Sequence, residues 1–523
     1  MSVITQPMLE FSELKTPADH GDVLVAPEPA AWIKAAHANG ESLRRADVPL
    51  LDSTLSACRR RTRKAIVGRD DTLVFLIGHQ PSFVHPGVWA KHIVAMRVAG
   101  AADGIALHLV VDNDALKQTM LPIPSVQNER VILRSVPFAR VPSGHAYEQI
   151  PRRTPDEIGR FERAVRDAMG DRYDDSQMPT FCGAFSGAVE ARDWVDQTVA
   201  ARRAVEASFG VVVDDRRVSD VWRGPFVVDL LVHADRFAAS YNHALEGYRR
   251  EHRVRGAQRP IPDLFRSEDR CEVAVWAYRD NEPRRRLFVA RAGNALRFFA
   301  DHEEIGVIPI GRLNSSDSLA TALTELGDWR LRPRALMLTI WARLLLADLL
   351  IHGIGGAKYD RISDAIIADY YGVDPPHLAC VSATLFMDLP VSAVTPEAVR
   401  RLRHAVRDLR FNPQRNLPGG ADLDSLIEQR AGALRRAADL RASDRHNRQA
   451  RRQAFNQIRD INAAMLSARP EALAAGQDEL TKALRELEQN RIARGREYFF
   501  GLYDRERLAQ LAEALPTKRD FRV

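Results

Sequence analysis

Cysteine is scarce in this chain: Cys58, Cys182, Cys271 and Cys380 are the only four among 523 residues. They lie far apart, with no Cys-x-x-Cys and no Cys/His ligand spacing, which excludes a disulfide framework and a structural zinc site as organising devices. Long apolar runs are missing too. Charge interrupts each of them well short of the ~20 residues a bilayer helix needs, and Met1 to Glu10 holds no basic stretch leading into an apolar one. A reducing cytoplasm and no membrane association are therefore expected. Nor is there a strong excess of one charge sign: 75 Lys and Arg against 69 Asp and Glu leave +6, too little to argue for nucleic acid. The basic clusters Arg59, Arg60, Arg61, Arg63, Lys64 and Arg448, Arg451, Arg452 fall in predicted helices without interleaved aromatics, so they read as solvated faces. No GxSxG elbow, HExxH, kinase signature or Walker A loop is present.

What the chain does have is a 45% apolar content, enough for a large core, and a length that suggests two to four domains. Residues 72–77 (Thr-Leu-Val-Phe-Leu-Ile) form a continuous apolar run that stops at Gly78, as in a strand buried on both faces of a parallel sheet. Pro86 to Ala101 reads as a helix with proline in its first turn. A second buried strand follows at 105–111 and ends in Asp112-Asn113-Asp114. Strand, loop, helix, strand is a βαβ unit, so the expected fold is α/β with a Rossmann-like parallel-sheet core.

Residues 1–69 are expected to be a helical segment packing on that core, which spans 70–421 with a connecting α/β insertion at about 150–330. A hairpin is predicted where two β-rich runs flank Gly293-Asn294. Pro333 to Ile351 reads as a helix running into His352-Gly353-Ile354-Gly355-Gly356, and a further helix is expected over 360–371. From Asp422 the composition turns to Ala, Leu, Arg, Glu and Gln. Two long antiparallel helices joined near Pro470 account for this as a coiled-coil arm over 422–515, suited to homodimer formation, with a short tail to 523.

Three clusters are candidates for chemistry. Ligands of open parallel sheets sit at the carboxyl ends of strands, where the next helix offers unpaired N–H groups. In Gly78 to Gly87, His79 and His85 are candidates for holding an anion or stabilising a leaving group, Gln80 for orienting a substrate and Lys91 for reaching the same loop. His92 reads as a surface residue. Asp112 and Asp114 end the next strand on the same sheet edge; such a carboxylate pair suits Mg²⁺, proton acceptance from an amine, or ribose hydroxyls, although Asp and Asn also favour plain turns. Gly353, Gly355, Gly356, Lys358 and Tyr359 place backbone N–H groups and a cation around one helix start, suited to a phosphate or α-carboxylate, while a helix cap with close backbone packing accounts for the same residues.

The order of these motifs resembles that of the cysteine-adding enzymes of bacillithiol biosynthesis, a cysteine ligase family. Those proteins carry a Gly-Gln-Gln loop leading to Gly-Pro and a helix with Lys, then Asp-His-Asp, a late Gly-Gly-Pro-Gly loop and a C-terminal coiled coil. The counterparts are Gly78-His79-Gln80 with Pro86-Gly87 and Lys91, then Asp112-Asn113-Asp114, Gly353 to Gly356 with Tyr359, and the helices after Asp422. His79 stands for a Gln and Asn113 for a His. The resemblance implies joining of cysteine or another amino acid to an amine-bearing, amino-sugar-type acceptor, with ATP or another nucleotide as activator and small molecules as the only substrates. A nucleotidyl- or glycosyl-transferase on the same sheet and a non-catalytic scaffold are the alternatives.

Overall fold

In the computed structural model, residues 13–116, 118–139, 141–256, 261–313, 322–444 and 446–522 are described, together with the backbone of Val3–Thr5. Residues 1–2 and 6–12 of the expected N-terminal segment, and Val523 at the end of the tail, lie outside the described residues. The chain divides into two units, residues 1–123, 134–386 and 496–523 in the first and residues 124–133 and 387–495 in the second.

The first unit is α/β. Its main sheet holds seven strands: β1 (Val3–Thr5), β2 (Val23–Ala26), β3 (Val74–His79), β4 (Ile105–Val110), β5 (Asp214–Arg217), β6 (Leu349–His352) and β7 (Leu378–Ala383). Their order is β1-β2-β7-β6-β3-β4-β5. From β7 to β5 all neighbours are parallel, and β2 joins β7 antiparallel. Residues before 70 thus supply strands as well as the expected helices; Val23-Leu24-Val25-Ala26 is wholly buried but too short a run to stand out in sequence.

Side chains alternate across β3 as strand geometry requires. Val74 and Leu76 join a core with α1 (Trp32–Arg45), α2 (Leu55–Val67), α5 (Ala335–Leu345) and α6 (Ile354–Tyr371). Phe75 and Ile77, also fully buried, occupy the other face, where α3 (Pro86–Ala101) lies across β3, β4 and β7. Between these helices in sequence, α4 (Pro225–Val232) adds Phe226 and Leu230 to the core. The predicted helix over 333–351 is in fact three pieces: a strand at Arg330–Pro333, α5, and the sheet strand β6. The stretch from Leu344 to Ile351 is apolar except for Asp348, and short apolar runs do not distinguish buried helix from buried strand.

The basic face expected of α2 is only half solvated. Arg60, Arg61 and Lys64 are exposed, whereas Arg59 and Arg63, one turn apart, are buried against Asp348 at 2.6 and 3.0 Å. A second, antiparallel sheet runs in the order 303–309, 295–300, 285–292, 271–278, 330–333, with Ala292 opposite Ala295 across the Gly293-Asn294 turn. Residues 496–523 return to this unit, where Phe500 stacks on Trp89 and Phe499 packs against Phe83.

The second unit is helical: α7 (Pro396–Phe411), α8 (Ala421–Ser443), α9 (Arg448–Ala468) and α10 (Pro470–Ala493). Three helices lie between residues 420 and 494 where two were expected, and a fourth, Arg505–Ala514, belongs to the first unit. Pro470 does start a new helix, but α8 also ends at Ser443 and α9 starts anew at Arg448, capped by the Asn447 side chain, which accepts from Ala450 N at 3.0 Å. Leu409, Leu423, Ile461 and Met465 form its core, and the buried Arg430 donates to Asn462 at 2.7 Å, tying α8 to α9.

Candidate functional site

The winding of the main sheet reverses beside β3. From β3 the chain runs outward through β4 and β5, then returns to lay β6 and β7 on the opposite side. The carboxyl ends of β3 and β6 therefore flank a topological switch point, where following loops diverge and leave a crevice. Gly78 and His79 end β3, and His352 ends β6. A cavity of about 270 Å³ lies there, lined by both histidines and by Gly78, Gln80, Asn113, Asp114, Trp276, Arg284 and Thr339.

His79 is the histidine best placed for chemistry. Its Nδ1 is 3.0 Å from the Gln80 carbonyl oxygen. A carbonyl only accepts, so Nδ1 carries the proton and Nε2 keeps a lone pair. Burial, followed by the charge of Lys91, holds its pKa well below the ordinary histidine value, so the ring is neutral. Gln80 Nε2 donates to Asp114 Oδ2 at 2.9 Å, and Arg284 Nη1 donates to Asp114 Oδ1 at 2.9 Å and to the Asn113 carbonyl at 3.1 Å. Arg284 also lies 4.8 Å over the Trp276 ring. Two buried polar atoms of this wall have no hydrogen-bond partner among the described residues: Asn113 Oδ1, an acceptor, and Arg284 Nε, a donor.

His352 is held from behind. Its Nε2 is 3.1 Å from Asp360 Oδ2, and a Cβ at position 356 would fall 2.5 Å from its Nδ1, so Gly356 is required for the ring to pack against the first turn of α6. Both nitrogens are thereby directed at the protein, and the ring serves as a wall.

The other predicted residues do not converge here. His85 caps α3: its Nδ1 accepts from Gly87 N at 3.1 Å, and its carbonyl accepts from Val88 N and Trp89 N at 2.9 and 3.1 Å. Burial, then Arg496 and Lys91, lower its pKa to about 4, so it carries no charge to offer a leaving group near neutral pH. Because Pro86 has no N–H and the next three are taken by His85, the start of α3 does not present the open anion site expected of it. Lys91 does reach the loop, but from inside: it is buried, donates to the Gly78 carbonyl at 3.0 Å, and burial brings its pKa down to about 8.

Asp112 does not pair with Asp114. It is fully buried and turned to β5, where Oδ2 accepts from Arg217 Nε at 2.7 Å and from Ser219 Oγ, and Oδ1 from Ser219 N at 3.0 Å. Burial raises its pKa against the pull of Arg217. The carboxylate pair proposed for Mg²⁺ is thus split between two separate networks, and among the described residues no group of three or more His, Cys, Asp or Glu side chains is arranged to hold a metal. Gly353 is the N-cap of α6; Gly355, Gly356, Lys358 and Tyr359 are helical rather than a loop, and none lines the cavity. His92, expected at the surface, is 1% exposed and lies 3.0 Å from Glu206. Arg284, Trp276 and Thr339 were not foreseen, since they lie more than 150 residues from His79 and Asp114 in sequence and no local motif marks them.

No protein-family model matches the chain, and no curated protein matches it. Among the described residues, no helix is long and apolar enough to cross a membrane.

Proposed function

We propose that the protein is an enzyme with a Rossmann-like core and a coiled-coil arm that joins the carboxyl group of cysteine or another amino acid to an amine-bearing acceptor. The observation that carries this reading is the neutral His79, whose Nε2 keeps its lone pair, beside the Asp114–Arg284 pair in one cavity at the switch point. With the amino acid supplied as an activated acyl donor, the amine forms the new C–N bond as the bond from the carbonyl carbon to the leaving group breaks and its electron pair departs with that group. The amine must lose a proton in this step, and a neutral imidazole within reach accepts it. Arg284 offers a guanidinium for a carboxylate, and Asn113 Oδ1 an acceptor for an amine. A cavity of about 270 Å³ matches an amino-acid-sized ligand better than larger ones, which occupy up to ~1,000 Å³.

The nucleotide implied by ligase chemistry does not fit this cavity. Its volume is small and the start of α3 is closed by His85, so no step is routed through a nucleotide here. The same closure weighs against a nucleotidyl- or glycosyl-transferase, which needs a phosphate site at the switch point.

A thermal-shift screen of the full chain against cysteine, other amino acids, sugar amines, ATP and ADP tests the reading. Stabilisation by an amino acid that is lost in Arg284→Ala is expected, because a ligand that binds only the folded state raises its melting temperature. A protein that no amino acid or amine stabilises would be a scaffold instead.

A further inference from the structure

In the second unit, the antiparallel pair α8 and α9 outruns its own core. The cluster around Leu423, Ile461 and Met465 ends at Ala433 and Ile458, and between Ala433 and Ala454 no described residue is buried. Arg436 Nη2 donates to Gln457 Oε1 at 3.0 Å, as Arg430 Nε does to Asn462 Oδ1 nearer the core. This register sets Leu434 beside Ile458, Ala437 and Ala438 beside Phe455, and Arg441 beside Arg451 and Arg452. Together they line a groove of about 620 Å³. Helices in proteins are held chiefly by the packing of an apolar face, and here that face stays open.

The groove is apolar near the core and basic near the turn. Phe455 is 60% exposed and Leu434 42%, two large apolar side chains side by side in water. Toward the turn the lining passes to Arg441, Arg448, Arg451 and Arg452, all exposed, and no carboxylate lines the groove. Arg441, Arg448 and Arg452 make no ion pair among the described residues. From Leu434 to Ile458 the sequence has seven arginines against Asp439 and Asp444, a net +5 in a chain whose whole excess is +6. Like charges gathered in this way repel one another, and an acidic partner relieves the repulsion. A solvated face, the expectation for Arg448, Arg451 and Arg452, accounts for the charge but not for the apolar groove beside it.

We propose that this groove docks a helix of a partner protein, one that carries an apolar stripe and a cluster of carboxylates. Apolar side chains at helical spacing would cover Leu434, Phe455 and Ile458, while the carboxylates meet the arginines near the turn. The small Ala437 and Ala438 let the incoming backbone come close. About three turns of helix fill the groove, because α9 rises ~15 Å from Arg448 to Ile458. Shape and composition favour a protein helix over other polyanions. Single-stranded nucleic acid stacks on successive aromatic side chains, whereas Phe455 is the single aromatic of this groove. A membrane takes an apolar helix face laid flat against it, not a groove between two helices.

Fluorescence anisotropy on the full chain tests this with labelled synthetic peptides of about 20 residues. One has leucine at helical spacing between glutamates, the second lysine for every glutamate, the third serine for every leucine. The leucine-glutamate peptide is expected to bind, and the other two at least about tenfold more weakly. Phe455→Ala, and separately Arg441→Glu combined with Arg452→Glu, should each weaken it by about tenfold or more, with urea midpoints unchanged because all three side chains are exposed. No binding of the leucine-glutamate peptide, equal binding of the lysine or serine peptide, or full binding in either variant would overturn the proposal. Tighter binding of oligo(dT), or of phosphatidylcholine vesicles containing phosphatidylserine, that the arginine variant loses would overturn it too, in favour of a nucleic-acid or membrane site. Sedimentation velocity should give the same value for the wild type and Phe455→Ala; a wild-type dimer that Phe455→Ala dissociates would mean that a second copy fills the groove. None of these outcomes bears on amino-acid binding in the first cavity, so the two readings fail separately.

Discussion

His352 Nε2 lies 3.1 Å from Asp360 Oδ2, and the same oxygen accepts from Arg343 Nη1 at 3.1 Å. Burial opposes ionisation of Asp360, yet Arg343 and His352 together hold its pKa below the usual range. One carboxylate thus fixes a cavity wall and neutralises an arginine that is 2% exposed. Asp360→Ala would leave Arg343 with the flanking Asp364, met at 2.7 Å, as its carboxylate, beside the Pro376 carbonyl to which it also donates. We expect a stability loss of about 3 kcal/mol, the low end for breaking a buried pair, read from urea unfolding. A loss below about 1 kcal/mol would show that Asp364 alone suffices.

His79 and His85 separate a chemical role from a structural one. His79→Ala removes the imidazole and its lone pair, so it should abolish product formation from cysteine and the amine acceptor while the variant remains folded. His85→Ala removes a helix cap and should cost about 1 kcal/mol of stability, with turnover at saturating substrate largely kept. The reverse pattern would assign the chemistry to His85.

Acid should destabilise the fold well above the carboxylate range. His79, His85, His92 and His108 all have lowered pKa values, burial being the largest cause in each; that of His85 falls to about 4 and that of His108 to about 3. Below the ordinary value of about 6.5 the unfolded chain takes up protons that the folded chain refuses, so stability falls with pH, by up to ~1.4 kcal/mol per pH unit for each histidine. The loss runs from about pH 6.5 down to about 4 for His85 and about 3 for His108. Urea midpoints at about pH 7 and about pH 5 measure it, and a flat response over that interval would show that these rings accept protons without unfolding.

The first βαβ unit was legible in sequence because its signals are local. The apolar run before Gly78, Pro86 at a helix start and the Asp112-Asn113-Asp114 strand end each need only a few neighbouring residues, and they place β3, α3 and β4 within two residues of where they occur. The partners of His79 were not legible. Arg284 sits in the run Pro283-Arg284-Arg285-Arg286 like any surface arginine, and only the second sheet brings it to Asp114. His352 was visible, but as the start of a glycine loop. Leu349–His352 follows the apolar end of α5 with only Asp348 between them, and a single charged residue does not mark the change from helix to strand that creates the switch point. The division of roles between Asp112 and Asp114 depends on Arg217 and Ser219, over a hundred residues downstream.

The same blindness to distant partners hid the role of Arg59 and Arg63. Asp348 Oδ1 accepts from Arg59 Nη2 at 2.6 Å, and Oδ2 accepts from Arg63 Nη1 at 3.0 Å and from Val74 N at 2.8 Å. The two guanidiniums continue to the carbonyls of Leu344, Ala347 and Leu346, so α2 is bonded to the end of α5 and the starts of β3 and β6. Burial lowers the Arg59 pKa to about 10, with Asp348 the main opposing influence. Asp348→Ala would strand two buried cations and free the Val74 N–H, a loss of at least ~3–5 kcal/mol. Arg59→Met should cost less, because it removes one of those charges and leaves Asp348 paired with Arg63. Arg60→Ala, on the exposed side of the same helix, should change stability by under about 0.5 kcal/mol. Urea midpoints of the three variants give the order directly, and an Asp348→Ala protein as stable as Arg60→Ala would mean that the cluster does not hold the switch-point strands together.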